Sequence, residues 1–222
     1  MRFDDAVARL EPLPDPLPSP LEALMPVRAD GGTWRSPSPD TQPGGRPAAV
    51  LVLVYPDEAG EARVVLIERP THDGRHHSGE VSFPGGKAEP GDVDAVATAL
   101  REAGEEVGLD PDAAGVRVVG LLDQLWIPVS DFAVTPVVAI ATRRPELVPA
   151  PAEVVRIVEP PVARFLPDAP VAAVERTIRG WAVRYGHYEV EGLSVWGATA
   201  RILSQLGAVL AGATVTADPP RA

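Results

Sequence analysis

Runs of apolar residues break into short blocks whose period changes along the chain, and those changes mark its elements. Ala48–Tyr55 is apolar at nearly every position, the pattern of a strand buried on both faces. After the turn-like Pro56–Gly60, Arg63–Glu68 predicts a second strand. A loop, Arg69–Gly79, leads to a short strand at Glu80–Phe83, which Pro84-Gly85-Gly86 should break. Val93–Val107 is the clearest helix: Val96, Leu100, Ala103 and Val107 recur at spacings of 4, 3 and 4 and form one stripe. Val116–Leu122, Phe132–Ala141 and Val154–Val158 read as strands, the first two rich in β-branched residues. Val174–Ile178 and Trp181–Tyr188 predict a hairpin turning at Arg179-Gly180. Trp196–Leu210 predicts a closing helix with Ile202, Leu203, Leu206 and Leu210 at core spacing. Phe3, Val7 and Leu10 would put a short amphipathic helix at the start.

Pro12–Pro47 is rich in proline, glycine and serine and cannot build a core alone. The expected organisation is therefore a proline-rich arm over 1–47, a folded domain over 48–211 and a tail over 212–222. The arm would be mobile or draped over the domain or a partner. That arm and the 174–190 hairpin need something to pack on, which makes a homodimer the expectation. No apolar run is long enough to span a bilayer, and the first ten residues lack the pattern of a secretory signal. Cysteine is absent, so no disulfide, thiolate nucleophile or zinc–sulfur site can form. A cytoplasmic protein is the reading. The formal net charge of −11 argues against a nucleic-acid surface. It leaves open a small phosphorylated substrate, which reaches acidic sites as a metal complex.

The chemistry concentrates between Gly85 and Leu109. Glu102, Glu105 and Glu106 fall on a helix face distinct from the apolar stripe, at i, i+3 and i+4. They repel one another and lie near the helix C-terminus, where the helix dipole disfavours anions. An ordinary solvated face tolerates an E-E pair, but bound divalent cations would remove both penalties. Magnesium and manganese take oxygen ligands of this kind. Arg101 can pair with Glu105 at i, i+4. Thr98 and Ala99 beside the carboxylates are small enough to leave room for a ligand. Gly85-Gly86 lets backbone come close, and a carbonyl there could be a further ligand.

This segment resembles the Nudix box, G-x5-E-x7-R-E-U-x-E-E-x-G-U with U aliphatic. Gly86 matches its leading glycine, and Arg101, Glu102, Ala103, Glu105, Glu106, Gly108 and Leu109 match its second half. Asp92 stands where the first glutamate is expected, and the spacer to Arg101 is one residue longer. Upstream, Arg69, Arg75, Gly79, Phe83, Pro84, Gly85 and Gly86 are similar to the coenzyme A pyrophosphatase motif L-L-T-x-R-[SA]-x3-R-x3-G-x3-F-P-G-G. Pro70 replaces its small residue, and the Arg69–Arg75 gap is one longer. Phe132–Val137 and Gly192–Leu203 resemble the same branch, and the likeness spans roughly Ala48 to Leu210.

The resemblance implies a Nudix α/β/α sandwich, a mixed sheet between helices. It implies hydrolysis of the diphosphate of coenzyme A or an acyl-CoA to a phosphopantetheine and adenosine 3′,5′-bisphosphate. Glu102, Glu105 and Glu106, with the Gly86 carbonyl, would hold Mg²⁺ or Mn²⁺. Glu102, Glu105 or the loop residue Glu153 would be the general base. Arg69 and Arg75, with Phe83 and Gly85, would meet substrate. Arg201 is expected in a buried ion pair, and His76 and His77 as loop residues. A nucleoside triphosphate, nucleotide sugar or dinucleotide substrate is the alternative. A non-catalytic Nudix-fold binding module comes after it. A calcium buffer is weaker still, because no EF-hand loop is present.

Overall fold

The computed structural model describes residues 1–28, 45–71, 79–128, 130–178 and 181–212. Arg75, His76 and His77 lie outside them, as do the predicted turn at Arg179-Gly180 and most of the C-terminal tail.

The long apolar run becomes the central strand β2 (Arg46–Pro56). It runs parallel to β9 (Phe132–Ala141), Arg46 opposite Phe132 through Val54 opposite Ile140. Short antiparallel strands flank this pair. β3 (Ala62–Val64) covers the C-terminal half of β2, and β6 (Gly85–Lys87) its N-terminal half. β7 (Val116–Leu121) and β8 (Leu125–Ile127) do the same for β9. The sheet is therefore mixed, six-stranded and lies between helices.

Side chains alternate across a strand, so β2 feeds two cores. Ala49, Leu51, Leu53 and Tyr55 meet Ala99, Ala103 and Val107 of α2 (Ala95–Val107). Val52 and Val54 face the opposite way, toward Ile202, Leu203, Leu206 and Val209 of α4 (Gly197–Leu210). This two-sided burial explains why β2 reads as continuously apolar. α1 (Phe3–Leu10) lies on the α4 side, burying Ala6 and Leu10, and Leu24 completes that core. The described part of the proline-rich segment thus packs Leu13, Leu17, Leu21 and Leu24 against this core within one chain.

Three expectations change in detail. The predicted strand Arg63–Glu68 is two strands, β3 and β4 (Leu66–Glu68). β4 leaves the main sheet to pair with β5 (Val81–Ser82) and β10 (Arg156–Val158). Gly85-Gly86 does not merely end a strand but forms β6, and a Cβ on Gly85 would lie 2.6 Å from Val50 Cα of β2. The helix begins at Ala95 rather than Val93, since the Asp94 carboxylate caps it by accepting from Ala97 N–H at 2.8 Å. The remaining sheet pairs β1 (Val27–Arg28), β11 (Ala172–Ile178), β12 (Trp181–Val190) and β13 (Leu193–Val195). α3 (Pro111–Ala114) links α2 to β7. Among the described residues, no helix is long and apolar enough to cross a membrane.

Candidate active site

α2 ends at Gly108, whose φ of 65° is the left-handed conformation that glycine adopts freely. Leu109 N–H then reaches back to Ala103 O at 3.2 Å, and the Leu109 side chain packs under the helix. The orphan carbonyls of Glu106 and Val107 accept N–H bonds from Ala150 and Val148 at 2.8 and 2.9 Å. This ties the 148–153 loop to the helix end and carries Glu153, exposed to solvent, to within electrostatic reach of Glu102 and Glu106.

At the other end, Arg101 organises the carboxylates. Its Nε and Nη2 donate to Asp92 at 3.1 Å each, Nη2 also to Glu102 Oε1 at 3.1 Å and Lys87 O at 3.0 Å, and Nη1 to Glu105 Oε2 at 2.9 Å. Asp92 further accepts from Thr98 Oγ1 and Glu89 N–H, each at 2.9 Å. Arg101, with those two donors, holds its carboxyl well below the usual carboxylate range. The shortened first acid of the box therefore anchors Arg101. Thr98 and Ala99, expected to leave ligand space, do not: Thr98 is buried against Asp92 and Ala99 lies in the core.

Gly86 makes room for Glu102. A Cβ on Gly86 would lie 2.5 Å from Glu102 Oε1, so the carboxylate occupies the place of a side chain beside the β6 backbone. Glu106 is deeper, 1% exposed. Its Oε2 accepts from Gly85 N–H at 2.8 Å and its Oε1 pairs with Arg69 Nη2 at 2.9 Å. Arg69 also donates to Gly85 O at 2.9 Å and to Ser82 Oγ at 3.0 Å. Arg69 and Gly85 thus join the carboxylate cluster directly. The sequence carries no signal for that pairing, since both partners are separately explained by their own motifs.

Burial raises the pKa of Glu102 and pushes Glu106 up to about 7, against the lowering pull of Arg69 and Gly85 N–H and with help from the neighbouring carboxylates. The donor set of carboxylates and a glycine carbonyl suits a hard divalent cation, which would offset the desolvated charge of these buried acids. The acids do not converge on one point, however. No cluster of three or more such ligands is preformed among the described residues. Glu105 is 56% exposed and turned to Arg101.

The raised Glu106 pKa has a consequence for the metal-free protein. The unfolded chain releases this proton near 4.5, the folded chain near 7. Stability from this group is full below about 4.5, falls as pH rises to about 7, and is level above, with a slope of about 1.4 kcal/mol per pH unit. Urea unfolding in chelator at pH 5 to 8 should show that decline in the wild type and lose it in Glu106→Gln. Parallel profiles would contradict the assignment.

One expected site residue sits elsewhere. Phe83 is 1% exposed in the α4-side core, where its ring packs and does not reach solvent. Arg201 has no ion pair among the described residues, contrary to expectation; Asp123, which lines the same pocket, accepts instead from Gln205 at 2.5 Å.

Residues 45–173 match the model of the NUDIX domain. The chain is 37% identical over 168 residues to "Nudix hydrolase 15, mitochondrial" of Arabidopsis thaliana, covering 73% of this chain and 58% of that one. It is 37% identical to an uncharacterized Nudix hydrolase, NudL, of Pectobacterium atrosepticum, covering 72% of this chain and 81% of that one. The chain therefore spans somewhat more than half the length of the plant relative. A crystal structure of a Nudix hydrolase from M. smegmatis superposes with a TM-score of 0.44 at 22% identity, over 62% of this chain and 79% of that one.

Proposed function

The chain belongs to the Nudix family, and we propose that within it the protein is a Mg²⁺- or Mn²⁺-dependent pyrophosphohydrolase of the coenzyme A type. It would split coenzyme A or an acyl-CoA at the diphosphate into a phosphopantetheine and adenosine 3′,5′-bisphosphate. One observation carries the reading. Arg69, from the segment similar to the coenzyme A pyrophosphatase motif, closes on Gly85 O and on Glu106 of the box. The two motifs form one constellation.

Glu102, Glu105, Glu106 and the Gly86 carbonyl would hold the cation. When bound there it withdraws charge from the phosphoryl oxygens and from the attacking water. The protein's own part is positional. Asp92 fixes Arg101, and Arg101 orients Glu102 and Glu105. Arg69 and Gly85 N–H fix Glu106. Water adds to one phosphorus, the bridging P–O bond breaks, and the water's proton passes to a carboxylate. Glu153 is our choice of acceptor. It lies within electrostatic reach of Glu102 and Glu106, is exposed, and among the described residues no cation ties it down. The remaining guanidinium donors of Arg69, and Arg75 of the same motif, would grip phosphate.

The test is hydrolysis of coenzyme A with Mg²⁺ and with Mn²⁺, beside nucleoside triphosphates, nucleotide sugars and dinucleotides, with products separated by chromatography. Preferential release of adenosine 3′,5′-bisphosphate is expected. Turnover confined to other substrates would keep the site and overturn the substrate, and no turnover at all would leave a binding module. In the same assay, Glu153→Gln should lower kcat by about 100-fold with KM retained. Unchanged kcat would move the acceptor role to Glu102 or Glu105.

A further inference from the structure

Glu106 is withdrawn from water almost completely, and a carboxylate ionised in such a place needs counter-charge. Among the described residues Arg69 supplies it, through a single nitrogen. Arg69 Nη2 lies 2.9 Å from Glu106 Oε1 and 2.9 Å from Gly85 O. The two hydrogens of that nitrogen thus meet two oxygens, one charged and one neutral. Strand geometry presents the second of them. Pro84 O faces β2, where it accepts from Leu51 N–H at 2.8 Å, and successive carbonyls of a strand point in opposite directions. Gly85 O therefore points out of the ladder, toward the guanidinium.

A carboxylate oxygen and a carbonyl oxygen converging on one positive centre are also the ligands a hard divalent cation prefers. Two positive centres cannot share them, because like charges in contact and shielded from water repel strongly. Glu106 keeps its place without Arg69, since Gly85 N–H holds its Oε2 at 2.8 Å. Arg69 is able to leave. Its side chain is 29% exposed, so the cation of this pair reaches solvent while the acid does not. Its Nε, bonded to Ser82 Oγ at 3.0 Å, keeps the side chain beside β5.

We propose that Arg69 is the resident counter-cation of Glu106, that it exchanges with the divalent cation, and that its released Nη2 then turns to a phosphate of the substrate. The inference rests on the reading of Glu106 as a cation ligand. The planar fork of a guanidinium matches phosphate oxygens. Arg69 thereby links two binding events. It opposes the cation while no substrate is present, and a diphosphate that engages Arg69 withdraws that opposition. Such coupling is reciprocal, so cation and diphosphate each favour the other.

Calorimetric titration of the full chain with Mn²⁺, in the absence of substrate, gives the sign. Arg69→Gln should bind Mn²⁺ about tenfold more tightly than the wild type. An arginine that merely orients Glu106 would have the opposite effect, so weaker or unchanged affinity would overturn the exchange. A second measurement uses the wild type itself. Its arginine Nε–H resonances are followed by nuclear magnetic resonance as Mg²⁺ is added, the Arg69 signal being assigned by its loss in Arg69→Lys. That signal should shift and exchange faster with water as Mg²⁺ saturates, and a signal that stays put would overturn the exchange. At saturating Mg²⁺, Arg69→Gln should raise KM for the diphosphate that the wild type hydrolyses by about tenfold with kcat retained. An unchanged KM would overturn the transfer of Arg69 to phosphate. Glu106→Gln tests the reading beneath. Mn²⁺ affinity undiminished in that variant would overturn the metal site and the exchange with it. Glu106-dependent Mn²⁺ binding that ignores Arg69 would overturn the exchange alone.

Discussion

Glu106→Gln should lower metal-dependent kcat by about 10³-fold, equivalent to about 4 kcal/mol of transition-state stabilisation, and leave the fold in place. Both Glu106 oxygens are engaged, Oε1 by Arg69 and Oε2 by Gly85 N–H, and the side chain is almost wholly buried. Glutamine keeps the volume and one acceptor, so Gly85 N–H remains satisfied. It carries no charge with which to draw a cation or to balance Arg69. Burying a carboxylate is itself costly at neutral pH, so its removal offsets part of the lost ion pair. Unfolding in chelator should therefore shift by no more than about 2 kcal/mol. Kinetics at saturating Mg²⁺ beside that unfolding curve decide the matter. Activity within tenfold of wild type would exclude this face of α2 as the metal site.

Gly85→Ala is expected to act on fold and site together. Gly85 has a φ of 152°, and a Cβ there would lie 2.6 Å from Val50 Cα and against the Ala49 carbonyl oxygen. Both obstacles are backbone of the central strand, so no side chain can swing aside. Relief requires β6 to move off β2, at the expense of the Leu51 N–H bond to Pro84 O, now 2.8 Å. Strain and overpacking together should cost about 3–5 kcal/mol. The same shift displaces Gly85 N–H from Glu106 and Gly85 O from Arg69, so turnover should fall with stability. Gly91→Ala is the control. Nothing lies within 4 Å of its added Cβ, and both readouts should stay near wild type. Urea unfolding within 1 kcal/mol of wild type for Gly85→Ala would show that β6 does not depend on this close approach.

Much of this was legible beforehand. The Val96–Leu100–Ala103–Val107 stripe does face the sheet, although Val96 and Leu100 are only partly buried while Ala99 takes the centre. Small residues let helix and sheet approach most closely, and a wheel that weighs hydrophobic size underrates them. The Arg101–Glu105 pair stands as its i, i+4 spacing requires. β8 and the placement of β4 outside the main sheet went unread. Three-residue strands carry too little periodicity to register, and partner choice leaves no local trace.

Spacing along one helix and one turn is a short-range property. From it the chain alone determined α2, its carboxylate face, the glycine stop at Gly108 and the family likeness that orders them. Contacts between distant segments are decided by which surfaces bury each other, and only the folded chain shows them. Arg69 turns toward Glu106 because β4, β5 and β6 bring it to the end of α2. Leu21 N–H finds Ser204 Oγ across 183 positions because the arm completes the α4 core. Arg201, unremarkable in its helix, makes no ion pair among the described residues, while Asp123 in the same pocket lining accepts from Gln205.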